Sequence, residues 1–157
     1  MTDVAADIAF TDTTADTPGA RTLTFPRGLL GFEDNHRFRI ERDPAWEPFA
    51  RLRSLEEPRL SFVIAPPRVF VPDYTVRIDP MEIAELRARD AADTELWVIL
   101  TVPEDPRRMS ANLQGPVVIN RRNGLGKQLV LTRSQYPTRF MVLGEESVAE
   151  TEPAISV

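Results

Sequence analysis

Residues 25–33 read Phe-Pro-Arg-Gly-Leu-Leu-Gly-Phe-Glu, with two glycines around two leucines and a phenylalanine towards either end. Gly28 and Gly31 allow the backbone to take turns that other residues resist. Leu29, Leu30 and the two phenylalanines must then be buried by packing or kept exposed for a partner. The stretch therefore predicts either a buried loop that plugs one end of a core or an apolar recognition loop. A catalytic loop would show polar or ionisable groups at the turn itself.

The sequence after and before this stretch consists of short β-branched or apolar runs. They cover residues 21–25, 38–40, 60–65, 96–102, 117–120, 128–132 and 140–143. Pro, Gly, Asn or Asp residues bound these runs, which is the pattern of strands joined by turns. Within 120–128 we expect a hairpin loop, in which Asn123 and Gly124 supply the positive φ angles.

One segment has helical rather than strand spacing. Asp79 is a typical N-cap residue, Pro80 suits the first helical position, and Glu82 lies three residues after the cap. Apolar residues continue at helical spacing to about residue 89, which predicts a helix of roughly three turns. Many short strands with one short helix near 79–90 indicate an all-β, mostly antiparallel fold, which we expect to be a compact β-barrel-like domain.

Charge divides the chain of 157 residues into three parts. Residues 1–20 and 145–157 hold eight of the 24 acidic residues and no basic ones, whereas the whole chain has a net charge of −5. We therefore predict one domain over 21–144 between two acidic, solvated tails. The tails would mainly aid solubility, or they would attract a basic partner and repel nucleic acid.

The sequence contains no constellation typical of an enzyme. His36 is the only histidine, and the polar residues 33–36 favour a solvated turn over a site for a hard cation. The segment 124–127 ends in Gly-Lys, but a phosphate-binding loop needs glycine where Arg121 stands and Ser or Thr where Gln128 stands. We therefore predict no catalytic residue, no metal site and no cofactor.

Composition also favours a cytoplasmic protein. The chain has no cysteine, and hence no disulfide framework or thiol nucleophile. No run approaches the roughly 18–20 apolar residues that span a bilayer, and the first residues include aspartates without a basic leader. We expect neither membrane insertion nor secretion.

An alternative function comes from the basic residues, which are nearly all arginine. Five of them stand near aromatic residues in the sequence: Arg37, Arg39, Arg51, Arg53 and Arg59, close to Phe38, Trp46 and Phe49. This mixture suits single-stranded RNA. Interspersed acidic residues leave the middle of the chain close to neutral, which disfavours a dedicated nucleic-acid binder. A single-domain RNA-binding β-barrel module remains the alternative.

Three blocks together resemble the FliW family of bacterial flagellar assembly factors. They are FPRGLLGFE at 25–33, LRSLEEPRLSFVIAPP at 52–67 and SANLQGPVVIN at 110–120, and the resemblance extends from about Leu23 to Leu143. The sequence departs from the family pattern at three positions. Arg53 stands where Gln is usual, Ser110 where Thr is common, and Gly115 where Ala is common.

The resemblance implies a non-enzymatic, cytoplasmic binding protein with two partners. One is flagellin, which the family holds before export, and the other is CsrA, a small RNA-binding translational repressor. In the family, protein freed by flagellin export binds CsrA and relieves repression of flagellin synthesis. An acidic protein suits a basic, RNA-binding partner.

Partner contact is assigned to two loops as a hypothesis. Asn112 is either a turn former that caps local backbone or part of a partner surface, and the resemblance allows the second interpretation. The candidate partner-binding residues are Gly28, Leu29, Leu30, Gly31, Phe32, Glu33, Asp34, Asn112 and Leu113.

Overall fold

The computed structural model describes residues 21–132 and 135–143, which include nine strands and one short α-helix. The strands are β1 (Arg21–Thr24), β2 (Arg37–Arg42), β3 (Ala50–Ser54), β4 (Ser61–Ala65), β5 (Thr94–Thr101), β6 (Ser110–Ala111), β7 (Val117–Asn120), β8 (Gly126–Gln128) and β9 (Phe140–Met141). The helix is α1 (Pro80–Glu85). Both predicted tails lie outside the described residues. No helix within those residues is long and apolar enough to cross a membrane.

All strand pairs in the sheet are antiparallel, as the sequence predicted. The strands follow the order β1-β2-β3-β4-β5-β6-β9, and β7 joins through β5 and carries β8. The long strand β5 makes this branch possible, because its first residues pair with β7 and its last residues pair with β6. A single bridge between Thr24 and Leu125 links β1 to the β7–β8 hairpin. The sheet is therefore not closed, and the description as a β-barrel is corrected on this point.

The central strands are buried on both faces. Ile64 of β4 belongs to a first core with Leu23, Phe38 and Leu52. Val63, its neighbour in β4, faces the opposite way into a second core that includes Tyr74 and Leu113. Strands covered on both sides lack polar alternation, which explains the continuous apolar runs at 60–65 and 96–102. The first core supports the 25–33 loop, and the second lies beneath the other predicted site residues.

Two strands were missed in the sequence, and one predicted run is not a regular strand. Strand β3 alternates apolar residues with Arg51 and Arg53, and β6 is only two residues long. Regular pairing in β8 ends at Gln128 rather than continuing to 132. Beyond it, Leu129 and Leu131 still donate backbone hydrogen bonds to Pro116 and Gln114.

The helix is shorter than predicted. It ends at Glu85, and Arg87 has a left-handed φ of 57°. The Leu86 carbonyl oxygen accepts hydrogen bonds from the side-chain amides of Asn120 and Asn123, at 2.9 and 3.1 Å. The chain therefore turns away where the β7–β8 hairpin caps it. At the other end, Asp79 has N-cap backbone geometry, but its side chain accepts no capping hydrogen bond.

The predicted hairpin joins β7 to β8, with one change in its turn. Gly124 has a φ of 77°, as expected, but Asn123 does not have a positive φ. The Asn123 side-chain oxygen instead accepts a hydrogen bond from the backbone N–H of Leu125 at 2.9 Å. The asparagine therefore stabilises this turn through its side chain and leaves the left-handed conformation to glycine.

A substitution in β8 tests how tightly this hairpin packs on the first core. A Cβ atom at Gly126 would lie 2.6 Å from two ring atoms of Phe25. We expect Gly126→Ala to lower the free energy of unfolding by about 1–3 kcal/mol, because the buried ring must shift. Urea denaturation measures this loss. Adding Phe25→Leu should make the alanine less costly than it is in the wild-type background, and strict additivity of the two changes would contradict the contact.

Candidate partner-binding surface

The 25–33 stretch forms a tight turn in which one leucine is buried and the other is exposed. Gly28 and Gly31 have φ angles of 68° and 87°. Leu29 and Phe32 exchange backbone hydrogen bonds, so the turn closes on Leu30 and Gly31. Leu29 is 1% exposed, whereas Leu30 is 53% exposed. The stretch is thus a buried plug on one side and an exposed apolar tip on the other.

Aromatic packing holds the turn on the first core. Phe25 and Phe38 meet edge to face, with ring centroids 5.4 Å apart. Phe32 meets Phe62 of β4 in the same way at 5.3 Å. Such pairs add roughly 0.5–1.5 kcal/mol to the burial of the rings. The exposed tip at Leu30 is therefore presented from a rigid base.

Gln128 joins this turn to the second predicted segment. Its side-chain oxygen accepts a hydrogen bond from the backbone N–H of Leu30 at 2.9 Å. Its side-chain NH2 donates to the carbonyl oxygen of Gly115, also at 2.9 Å. The side-chain oxygen of Asn112 accepts from the backbone N–H groups of Gln114 and Gly115. The structure thus brings the 28–31 turn and the 112–115 turn together through one glutamine.

Gly115 leaves room for these amide contacts. A Cβ atom there would lie 2.9 Å from Nδ2 of Asn112 and 3.0 Å from Nε2 of Gln128. An alanine would push both amides aside. The departure from the family pattern at this position therefore accompanies close packing between the two side chains.

Leu113 lies beneath the surface rather than on it. Its side chain is fully buried in the second core. Its carbonyl oxygen accepts a 2.7 Å hydrogen bond from the hydroxyl of Tyr74, and burial raises the pKa of that phenol. Leu29 is buried in the same way in the first core. The side chains of these two leucines support the turns from inside.

The acidic end of the turn is fixed by hydrogen bonds. The Glu33 carboxylate accepts from the backbone N–H of Gly31 at 3.1 Å. Asn35, which is buried, accepts from the Ser54 hydroxyl at 2.6 Å and donates to Glu57. The loop after β3 is thereby anchored to the loop before β2. Glu33 and Asp34 are exposed beside Leu30, so the surface combines an apolar tip with negative charge.

Helix α1 borders this surface through ion pairs. Lys127 of β8 contacts both Glu82 and Glu85, and the Arg27 guanidinium lies 2.9 Å from Glu85. The hydrogen bond from Lys127, more than the charge of Arg27, holds the pKa of the Glu85 carboxyl below its ordinary value of 4.5. Strand β8 therefore contacts the turn through Gln128 and the helix through Lys127.

This arrangement predicts a pH dependence that can be measured at Glu85. A lowered pKa in the folded state gives a favourable contribution that is present above pH 4.5 and is lost as the pH falls through the lower value. We expect the side-chain carboxyl carbon of Glu85 to titrate in NMR below the ordinary midpoint. Lys127→Met should raise that midpoint. An unchanged midpoint in the variant would contradict the assigned cause.

The described residues contain no group of three or more His, Asp or Glu side chains that could hold a metal ion. His36 has its ring Nδ1 3.2 Å from the carbonyl oxygen of Phe25. Its backbone N–H donates to Glu56 at 2.6 Å, and this bond lowers the pKa of that exposed carboxyl. The polar residues 33–36 therefore stabilise the loop before β2 through hydrogen bonds.

Three of the five arginines of the RNA alternative form an ion-pair cluster. Glu41 is 2% exposed and lies within 3.5 Å of the guanidinium groups of Arg39, Arg51 and Arg53. Phe38, which was grouped with them in the sequence, is fully buried in the first core. We call these four charged residues the Glu41 cluster.

Comparison with known proteins assigns the chain to a family. The family model described as FliW protein matches residues 9–142. The chain belongs to the FliW family. This confirms the resemblance carried by the three blocks at 25–33, 52–67 and 110–120.

Curated FliW relatives match most of the chain. A protein named flagellar assembly factor FliW from Alkaliphilus metalliredigens is 37% identical over 84% of this chain and 85% of its own length. The protein of the same name from Treponema pallidum is 34% identical over 78% of this chain and 81% of its own. A crystal structure of the flagellar assembly factor FliW superposes with a TM-score of 0.74 at 34% identity, covering 80% of this chain and 87% of that one. The mostly antiparallel fold is therefore the FliW fold.

Sequence reasoning missed the residue that organises the site. In the sequence, Gln128 stood out only because it occupies a position where a phosphate-binding loop needs Ser or Thr, and because it begins the predicted strand at 128–132. A half-buried amide at the end of a β-hairpin is the available signal, since such a group must find hydrogen-bond partners. Its partners are 13 and 98 residues away in sequence, so the pattern of one chain does not identify them.

Proposed function

We propose that this FliW family member is a flagellar assembly factor that binds flagellin in the cytoplasm and also binds the translational repressor CsrA. In this role it holds flagellin as a chaperone would, and flagellin export frees it to relieve repression of flagellin synthesis. It acts by binding alone, without catalysis, cofactor or direct contact with RNA. Family membership supports the flagellar role, and the resemblance of the sequence blocks supports the two partners.

The exposed turn at Leu30 is the observation that carries the proposed site. A half-exposed leucine on a rigid base, next to Glu33 and Asp34, offers an apolar contact with a negative rim. Burial of an exposed leucine side chain against a partner is favourable because apolar surface leaves water, and acidic groups favour association with a basic partner. Gln128 positions this turn by accepting a hydrogen bond from the backbone N–H of Leu30.

The proposed surface is smaller than the set of candidate residues. Leu30, Phe32, Glu33 and Asp34 present side chains that are at least partly accessible. Gly28 and Gly31 shape the backbone, while Leu29 and Leu113 support it from the cores. We therefore assign direct contact to the first group and an indirect, shape-giving role to the second.

Calorimetric titration tests the function directly. Purified chain is titrated with the flagellin of the same organism and, separately, with its CsrA. Near-stoichiometric binding to each is expected. Binding to flagellin alone would remove the regulatory role, and salt-sensitive binding of RNA by the isolated chain would instead favour the RNA-binding alternative.

A substitution at the tip tests the site. We expect Leu30→Ser to weaken partner binding about tenfold or more, since burying a leucine side chain contributes about 1.5–3 kcal/mol. Stability should change little, because Leu30 is 53% exposed. Val69→Ser is the matched control, since Val69 is 47% exposed in a turn next to the second core. Equal affinities for the wild type and Leu30→Ser would exclude Leu30 from the interface.

A further inference from the structure

An open apolar groove lies on the side of the sheet opposite to Leu29. It has a volume of about 390 Å³ and opens to solvent. Its apolar lining comes from Trp46, Phe49, Val63, Val102, Pro103 and Met109. Val63 faces the second core, whereas its neighbours in β4 face the first core that holds Leu29. The groove is therefore separate from the proposed partner-binding surface.

The described chain ends beside this groove. Strand β9 pairs with β6, and the backbone N–H of Val142 donates to the carbonyl oxygen of Met109 at 3.2 Å. Met109 is part of the groove lining. The last described residue, Leu143, therefore directly follows a residue that is hydrogen-bonded to the groove lining.

We propose that residues 144–157 bind in this groove of their own chain. The segment reads GEESVAETEPAISV, with Val148, Ile155 and Val157 among four glutamates and no basic residue. Fourteen extended residues reach about 45 Å, so length does not restrict the docking. A short tether also gives a local concentration in the millimolar range, which lets a weak apolar contact form within one chain.

The charge next to the groove suits this segment. Val63 stands directly opposite Arg51 in the β3–β4 pair, and Arg51 stands opposite Glu41 in the β2–β3 pair. Residues directly opposite in a sheet share a face, so the Glu41 cluster adjoins the groove. The three guanidinium groups of the cluster have the charge opposite to that of the glutamates in the segment. Glu104 adds a negative charge to the groove lining.

The segment lies outside the part of the chain that the family model matches. The family model ends at residue 142, before the segment begins. A partner segment that enters the groove would have to displace residues 144–157. Docking of residues 144–157 does not depend on the binding of flagellin or CsrA.

A spin label tests the docking in the full chain. The sequence has no cysteine, so Ser156→Cys provides one attachment site. We expect the label to remove the amide signals of Val102 and Met109 and the indole signal of Trp46, and to leave those of Arg27 and Leu30. Equal loss on both faces, or none, would overturn the proposal. Loss seen only when labelled chain is mixed with isotope-enriched chain would also overturn it, because the segment would then bind a second copy.

Three further samples check the result of the spin label. In the same labelled chain, Ile155→Asp with Val157→Asp should restore the groove signals. Deletion of 144–157 should increase acrylamide quenching of Trp46, while Trp97 stays shielded because it is only 2% exposed. A synthetic peptide of residues 144–157 should reverse that increase. Unchanged quenching after the deletion would contradict docking against Trp46.

Discussion

Gly28→Ala is expected to lower the free energy of unfolding by about 2–4 kcal/mol, through backbone strain and overpacking together. Gly28 has a φ of 68°, a conformation that residues with a Cβ atom rarely adopt. A Cβ atom there would also lie 2.6 Å from the backbone Cα of Glu33. Backbone cannot rotate away as a side chain can, so the whole turn must open. Urea denaturation followed by circular dichroism measures the loss.

Gly31→Ala is the matched control for this prediction. Gly31 also has a positive φ, of 87°, but a Cβ atom there meets nothing within 4 Å. Its alanine variant should therefore lose only the strain energy, about 1 kcal/mol. Equal losses for the two variants would contradict the steric role assigned to Gly28. The comparison separates conformational strain from the clash with Glu33.

Glu41→Gln should lower the free energy of unfolding by about 3–5 kcal/mol, because removing one partner of a buried ion pair leaves the other charge buried and uncompensated. The substitution keeps the shape of the side chain but leaves the guanidinium groups of Arg39, Arg51 and Arg53 without the carboxylate they share. Arg51 is itself mostly buried, at 10% side-chain exposure. Water therefore compensates little for the lost charge. Thermal and urea unfolding both report the loss.

Glu95→Gln provides the same chemical change in a more exposed pair. The Glu95 carboxylate lies 2.6 Å from the Arg21 guanidinium, and the two side chains are 19% and 35% exposed. Ion pairs near the surface contribute about 0–1 kcal/mol, so this variant should lose much less. A loss for Glu41→Gln no larger than that of Glu95→Gln would show that the Glu41 cluster is not a stabilising centre.

The sequence predicted the turn at 28–31 but not which of its two leucines is buried and which is exposed. Glycine spacing identifies a reversal of the chain because left-handed φ angles favour glycine. Leu29 and Leu30 are chemically identical, and only the packing of the turn on the first core makes one buried and the other exposed. The same limit applies to Leu113, whose burial depends on the second core.

The arginines show a different limit of sequence reasoning. Proximity of Arg51 and Arg53 to aromatic residues suggested RNA, but both guanidinium groups contact Glu41 on the neighbouring strand. That contact depends on the β2–β3 register, which pairs Glu41 with Arg51. An alternation of leucine and arginine in β3 is also weak as a strand signal. Strand β3 and the ion pairs of its arginines with Glu41 were therefore both missed, because both depend on strand pairing that the local sequence does not show.

The helix and hairpin were predicted where local chemistry decides structure. Pro80 fixes the start of α1, and Gly124 allows the turn between β7 and β8. The early end of the helix depends instead on Asn120 and Asn123, which bind the Leu86 carbonyl oxygen from a distant hairpin. Local signals thus predicted the start of α1 and the turn between β7 and β8, whereas tertiary contacts determined the end of the helix.

The most direct test of the proposed function is a competition titration. CsrA is titrated into the preformed complex of this chain with flagellin, and the apparent affinity is compared with that for the free chain. We predict that flagellin lowers the apparent affinity for CsrA in proportion to its concentration, because both partners draw on one pool of protein. An apparent affinity for CsrA that flagellin leaves unchanged would contradict this account, as would a demonstrably folded chain that binds neither partner.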